Sequence, residues 1–159
     1  MLVQVEIASF AVDPGKNSPL ILLKESGGAR SIAVPIGPLE ASAIAMQSLQ
    51  VESQKPLTID LVKIVIEQLG ATLSRVVVYD FSEQVFLARL QVLTEKSVKF
   101  IECRPCDAIS LALRCKCPIF VADSVFTKTQ SGSSLSDADN LKKHISSLDT
   151  LEFGRYVLE

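Results

Sequence analysis

Alternating apolar and polar residues at the start of the chain predict a β-hairpin followed by a third strand. Residues 2–12 place apolar side chains among polar ones, as expected of a strand with one buried face. Turn-forming residues fill 13–18, and 19–24 then provide a second apolar run, which completes the hairpin. The Gly27-Gly28 pair interrupts the chain before a third strand at 30–36.

Helices and a second group of strands follow. Pro38 occupies the first position of a helix over 38–49, which is apolar on most sides and is therefore expected to be buried. A second helix over 58–69 has Thr58 as its N-cap and Gly70 as its stop. The remaining predicted elements are strands at 72–80, 84–93 and 97–103, a helix at 105–115, a strand at 118–121 and a short helix at 122–128.

An internal repeat relates the two halves of the chain. The segment Pro38-Leu39-Glu40-Ala41 aligns with Pro105-Cys106-Asp107-Ala108. Each copy is a strand followed by a helix that starts with proline and carries an acid at its third position. The predicted fold class is therefore α+β, a mixed β-sheet packed with helices and built from two related strand–helix units.

Composition and charge narrow the classes of protein. A chain of 159 residues with 48% hydrophobic and 21% charged residues is a globular protein, which excludes disorder and coiled coil. The net charge of −2 argues against strong non-specific binding of nucleic acid, although a local basic groove is compatible with it. No segment reaches the roughly 20 apolar residues of a membrane helix. The first residues lack the basic start of a signal peptide, so we expect a cytoplasmic protein with no membrane partner.

The chain is expected to divide into a folded domain and a tail. Residues 1–128 hold the predicted strands and core helices. The Ser- and Gly-rich stretch 129–136 predicts a flexible linker, and 137–159 predicts a C-terminal helical tail. The single histidine, His144, lies in that tail without a Ser or Cys partner, which disfavours nucleophilic triad chemistry.

Three acids stand near predicted helix starts, namely Glu40, Asp60 and Asp107. An acid in the first turn is favoured by the helix dipole and can cap a backbone N–H, so capping is the simplest interpretation of each. The repeat, however, puts Glu40 and Asp107 in equivalent positions that can face each other. Paired carboxylates are what a divalent cation or a general base requires. These two acids are therefore candidate metal ligands.

Two arginines near the helix at 105–115 are candidate phosphate ligands. Arg104 immediately precedes this helix, and Arg114 shares one of its faces with Asp107. A guanidinium binds phosphate through two parallel hydrogen bonds, which favours an anion-binding role. An Arg–Asp surface pair and a cation at the helix C-terminus are the alternatives.

The cysteines flank the same helix as two pairs, Cys103-x-x-Cys106 and Cys115-x-Cys117. The helix between Cys106 and Cys115 spans about 13.5 Å, so one zinc ion cannot bind both pairs within one chain, and no zinc is expected. A thiol redox switch at Cys103 and Cys106 is an alternative. Cys115 and Cys117 are expected to be buried core residues.

Several motifs, in a fixed order, carry a resemblance to a known family. They are Val34-Pro35-Ile36-Gly37-Pro38-Leu39-Glu40-Ala41, Pro56-Leu57-Thr58-Ile59-Asp60-Leu61, Arg104-Pro105-Cys106-Asp107-Ala108-Ile109 and Ala112-Leu113-Arg114. Over about residues 1–127 the chain resembles the bifunctional nuclease domain family. The resemblance implies an α+β fold that is often dimeric, with DNA or RNA as partner and nuclease activity.

The same motifs imply a set of site residues, with Glu40, Asp60, Arg104 and Asp107 as catalytic candidates. Our first hypothesis is a metal-assisted nuclease in which Glu40 and Asp107 hold Mg²⁺ or Mn²⁺. Arg104, with Arg114, would bind the substrate phosphate.

Two departures from the family pattern keep other hypotheses open. Ile59 stands where the family usually has histidine, and Cys106 stands where it usually has serine. If that histidine serves as a base or a metal ligand, activity would be weakened here. A non-catalytic binding or regulatory module of the same fold is therefore the second hypothesis, and the thiol switch is the third.

Overall fold

The computed structural model describes residues 1–13, 15–49 and 54–132, and these form an α+β fold, as the sequence predicts. The strands are β1 (Leu2–Asp13), β2 (Ser18–Glu25), β3 (Ser31–Pro35), β4 (Thr72–Ser82), β5 (Val85–Leu93), β6 (Val98–Cys103) and β7 (Ile119–Ala122). The helices are α1 (Pro38–Ser48), α2 (Thr58–Gln68), α3 (Pro105–Cys115) and α4 (Asp123–Gly132).

One mixed sheet of seven strands runs through the described residues in the order β3-β2-β1-β7-β4-β5-β6. The short strand β7 joins the two halves, because it pairs antiparallel with β1 and parallel with β4. Strands β3 and β6, which lead into α1 and α3, therefore lie at opposite edges of the sheet. The two helices return from these edges and contact each other.

The helices pack on one face of the sheet. Val76 and Val78 of β4 are fully buried there, in one apolar cluster with Ile109 of α3 and Phe126 of α4. Burial of such side chains is the main stabilising contribution to the fold, at about 1.5–3 kcal/mol each. Val77, which alternates to the opposite face of β4, is buried as well but lies outside this cluster.

Most predicted elements are confirmed, and the differences have local causes. Helix α4 continues through Gly132, so 129–132 are helical instead of linker. The rest of the predicted linker and the helical tail lie outside the described residues. The N-cap of α2 is Leu57, one residue before the predicted Thr58, because an Asp60 carboxylate oxygen accepts the Leu57 N–H at 2.9 Å. Gly70 adopts φ +70°, as a helix stop requires.

Two expectations about burial need correction. Helix α1 buries Ala41 and Ile44 but leaves Leu39 exposed, and its C-cap residue Leu49 is exposed as well. Cys115 and Cys117 are half-buried instead of fully buried, since they sit where α3 ends at the domain surface. Helix α2 has no buried residue although its sequence is largely apolar.

The repeat is reflected in the helix starts. Both α1 and α3 begin with proline and carry an acid, Glu40 or Asp107, at the third helical residue. Equivalence of the whole units stays a prediction. No helix in the described ranges is both long and apolar enough to cross a membrane.

Candidate functional site

The start of α3 is organised by Arg104, which is the N-cap residue. Its extended backbone (φ −68°, ψ 145°) and the following Pro105 turn the chain from β6 into the helix. The Arg104 Nε donates to Asp107 Oδ2 at 2.7 Å, and its second terminal nitrogen donates to Asp107 Oδ1 at 2.9 Å. This two-bond geometry is the strongest arrangement for an arginine and a carboxylate.

The start of α1 reaches the same guanidinium. Glu40 Oε1 lies 3.0 Å from a terminal nitrogen of Arg104. The side chain of Arg104 is 66% exposed, whereas those of Glu40 and Asp107 are 22% and 37% exposed. The cluster of Glu40, Arg104 and Asp107 therefore lies at the surface, where a large ligand can reach it.

Gly37 makes room for the Glu40 carboxylate. A Cβ atom built on Gly37 would lie 2.2 Å from Glu40 Oε2, which is far inside van der Waals contact. The backbone of Gly37 is not strained (φ −78°), so its role is to permit this close approach. No motif considered in the sequence marks Gly37 as a functional residue. The signal that could have identified it is a glycine directly before the proline of a helix with an acid at its third position.

Neither Glu40 nor Asp107 caps its own helix. Among the described residues, neither α1 nor α3 has a capping box, the arrangement in which the acid at the third helical position accepts the N-cap backbone N–H. Asp60, by contrast, caps α2 through the Leu57 N–H. Capping, the simplest interpretation of all three acids, thus applies to Asp60 and not to the other two.

A third potential metal donor lies beside the two acids. One oxygen each of Glu40 and Asp107 and the sulfur of Cys106 lie within 4.8 Å of one another, and this is the one such group found in the described ranges. The two carboxylates suit a hard cation such as Mg²⁺ or Mn²⁺. The thiol does not, and burial, together with the negative charge of Asp107, raises the pKa of Cys106.

Asp60 and Arg114 belong to a separate structural pair. Arg114 Nε donates to Asp60 Oδ1 at 2.5 Å, and further donors face the carbonyl oxygens of Ala43 and Ser110, both at 3.3 Å. The Arg114 side chain is only 4% exposed. The pair ties α2, α1 and α3 together, and the structure does not bring it into the cluster around Arg104. We therefore leave both residues out of the proposed site.

The thiols lack the features of a redox centre. Burial, followed by the charges of Asp107 and Cys106, raises the pKa of Cys103 to about 11. Burial likewise raises the pKa of Cys117 to about 11. Reactive cysteines carry lowered pKa values, because the thiolate is the nucleophile. These surroundings disfavour the thiol-switch hypothesis.

Comparison with known proteins places the chain in a family. Residues 21–133 match the model of the bifunctional nuclease domain. Two proteins of Mycobacterium tuberculosis, named Uncharacterized protein MT1877 and Uncharacterized protein Rv1829, are each 35% identical over 125 residues. Each match covers 79% of this chain and 74% of the relative. The matched span contains Glu40, Arg104 and Asp107, and the chain belongs to the bifunctional nuclease domain family.

Proposed function

We propose that the protein is a metal-assisted nuclease that hydrolyses phosphodiester bonds of DNA or RNA at the starts of α1 and α3. One observation carries the proposal: Glu40 and Asp107 are not used as caps, yet they meet at one exposed guanidinium, that of Arg104. Membership of the family supports a nuclease-like function related to nucleic acids. The paired acids supply the chemistry that such a function needs.

Glu40 and Asp107 are the proposed ligands of Mg²⁺ or Mn²⁺. Cys106 is not assigned as a ligand, because hard cations prefer oxygen donors. A divalent ion held there would polarise the phosphate and lower the pKa of a bound water. The two acids would hold that charge at the protein surface, within reach of a polymer backbone.

Arg104 is proposed to bind the scissile phosphate. Its hydrogen bonds to Asp107 raise the pKa of the guanidinium further, so the group stays charged at any physiological pH. A phosphate offers the same planar pair of oxygens as a carboxylate. The guanidinium can therefore exchange a carboxylate partner for the substrate without changing its own geometry.

The uncapped starts of α1 and α3 add to anion binding. Their N-cap residues, Gly37 and Arg104, offer no side-chain acceptor to the first backbone N–H groups of these helices. Such groups and the positive end of the helix dipole favour phosphate. Two helix starts and one arginine thus support binding of a polyanion despite the net charge of −2.

A cleavage assay on the purified full chain tests the proposal. Labelled single-stranded and duplex DNA and RNA are incubated with Mg²⁺, Mn²⁺ or EDTA, using wild type and Asp107→Asn. We expect cleavage with a divalent metal, none with EDTA, and none with Asp107→Asn. Glu67→Gln, which removes an acid from exposed α2, is the matched control and should cleave as wild type does. Metal-independent cleavage, or full activity of Asp107→Asn, would contradict the proposal.

A non-catalytic binding or regulatory module is the second candidate, and Ile59 favours it. This residue packs against the core from α2 and offers no imidazole where the family usually has one. The assay above separates the two candidates. A non-catalytic module would bind the nucleic acid and leave it intact under every metal condition.

We also propose a homo-oligomer, with α2 as the contact surface. Leu61, Val62, Val65 and Leu69 form an exposed apolar stripe on this helix. A twofold contact can bury such a stripe against its own copy. Light scattering after size exclusion should show a dimer or larger assembly for wild type and a monomer for Val65→Glu. A wild-type monomer would contradict this.

A further inference from the structure

The face of the sheet opposite the helices carries a row of rings and arginines. Residue pairs that lie side by side across the strands place them together: Arg75 opposite Gln91, Val77 opposite both Arg89 and Phe120, and Gln91 opposite Phe100. Tyr79 joins the row, since its hydroxyl donates to Glu102 at 3.0 Å on β6. We call Arg75, Tyr79, Arg89, Phe100 and Phe120 the ring-and-arginine face.

The two arginines of this face differ from the other arginines that the structure describes. Arg30, Arg104 and Arg114 each form an ion pair with a carboxylate. Arg75 and Arg89 have no such ion pair with any described residue. Arg75 donates to the neutral amide of Gln91 at 2.7 Å, and the buried Nε of Arg89 lacks any hydrogen-bond partner within the described ranges. Two positive charges without an ion pair in the described residues thus share one surface, and the acid nearest to them is Glu102, opposite Arg89 on β6.

Each of these guanidiniums lies over an aromatic ring. The Arg89 guanidinium carbon is 4.8 Å from the ring centre of Phe100 and 5.2 Å from that of Tyr79. The Arg75 carbon is 5.6 Å from the ring centre of Phe120. The contacts hold the planar cations along the sheet surface. Phe100, on the edge strand β6, remains 57% exposed, so part of its ring surface is open to a ligand.

We propose that the ring-and-arginine face binds single-stranded nucleic acid. Unstacked bases stack on aromatic rings and on guanidinium planes, while arginines neutralise phosphates; sheet surfaces that bind single strands combine these two features. A duplex keeps its bases stacked inside and would gain only the charge contribution. This surface lies on the opposite side of the sheet from Glu40 and Asp107. It is therefore distinct from the proposed catalytic centre, although both would bind the same nucleic acid.

A second copy of the chain fits this face less well. A twofold contact here would bring Arg75 and Arg89 of both copies together, and like charges oppose such pairing. Glu102, the acid beside them, is already hydrogen-bonded to Tyr79. The uncharged stripe on α2 suits self-association better.

Binding measured without cleavage tests the proposal. Fluorescence anisotropy of labelled single-stranded RNA and DNA, and of the matching duplex, is recorded with the full chain in EDTA at low salt. We expect single strands to bind more tightly than the duplex. Phe100→Leu and Arg89→Gln should each weaken binding by about tenfold. Phe100→Tyr, which keeps an aromatic ring, and Arg89→Lys, which keeps the charge, should retain most of the wild-type affinity. Lys16→Gln, which removes a charge from the exposed β1–β2 turn, should leave binding unchanged. If Arg89→Gln destabilises the fold, Arg75→Gln replaces it as the test of the arginines.

The proposal would be overturned if wild type did not bind, if Phe100→Leu bound as tightly as wild type, or if the duplex bound as tightly as single strands. Conversion of a dimer to a monomer by Arg89→Gln would assign the face to self-association and would also overturn it. The anisotropy measurement is made in EDTA and does not depend on the proposed metal centre. Failure of this binding and failure of metal-dependent cleavage are therefore separate results.

Discussion

Glu40 and Asp107 share one counter-ion, the guanidinium of Arg104, although they stand at the starts of different helices. Two carboxylates this close would repel each other without a cation. Arg104 supplies that cation from within the chain. In the proposed nuclease a divalent metal and the guanidinium would compete for the same carboxylates, which leads to a test that does not depend on activity.

Arg104→Gln should make metal binding visible as thermal stabilisation. Without the guanidinium, repulsion between Glu40 and Asp107 lowers the melting temperature in EDTA by a few degrees. Mn²⁺ should then raise the melting temperature of the variant more than that of wild type. Lys128→Gln, which breaks a surface ion pair with Asp80, is the control and should gain nothing from Mn²⁺. An identical Mn²⁺ response in Arg104→Gln and wild type would argue against a carboxylate metal site.

Gly37→Ala should impair cleavage with little effect on stability. The new methyl group would collide with the Glu40 carboxylate, which must then swing away from Arg104. Gly28→Ala is a matched control, because its methyl group would collide in the same way with Glu25, far from the site. Cleavage rates and thermal melts of both variants check this. Equal activity of Gly37→Ala and wild type would show that the position of Glu40 does not matter.

Asp60→Asn should destabilise the protein, whereas the molecules that remain folded should still cleave nucleic acid. Its partner Arg114 is buried, and an unpaired buried charge costs about 3–5 kcal/mol. Arg114→Met added to Asp60→Asn should recover part of the loss, since no charge is then left unpaired. Urea denaturation measures the free energy of unfolding of each variant. A stable Asp60→Asn that has lost cleavage would instead return Asp60 to the catalytic centre.

Arg30 should make the free energy of unfolding depend on pH in the acidic range. Hydrogen bonds from Arg30 hold the pKa of Glu25 below its ordinary 4.5 and that of Asp123 below its ordinary 3.8. A carboxyl group whose pKa is lower in the folded than in the unfolded state stabilises the fold at pH values above its unfolded-state pKa. This contribution is lost as the pH falls through the folded-state pKa. Arg30→Gln should therefore be less stable than wild type at pH 7, and the difference should shrink below about pH 4. A difference that stays constant from pH 7 to pH 3 would contradict the linkage.

The sequence predicts the local structure well and the long-range pairing poorly. Pro38, Pro105 and Gly70 mark helix ends because their backbone preferences act locally, so those boundaries are confirmed. The ion pair between Asp60 and Arg114 depends on how α2 packs against α3, and no local pattern encodes it. The position of β7 between β1 and β4 likewise depends on packing between distant segments, which no local pattern encodes.

The repeat made part of the candidate site predictable, because its two motifs are short stretches of sequence that can be recognised without the fold. It placed Glu40 and Asp107 in equivalent positions, and it is Arg104 that connects them in the fold. The row of Arg75, Arg89 and the rings was not predicted, since it depends on the registers of four strands. Sequence alone shows these residues only as scattered single positions.

Cleavage by Glu40→Gln is the most direct test of the two-carboxylate centre. Glutamine keeps the size and hydrogen-bonding capacity of the side chain but removes the charge that would hold a metal. Initial rates on single-stranded RNA and DNA with Mn²⁺ are compared for wild type, Glu40→Gln and Glu67→Gln, after thermal melts confirm that each is folded. We predict wild-type rates for Glu67→Gln and a loss of at least about a hundredfold for Glu40→Gln. A folded Glu40→Gln that cleaves both substrates as fast as wild type would contradict the account.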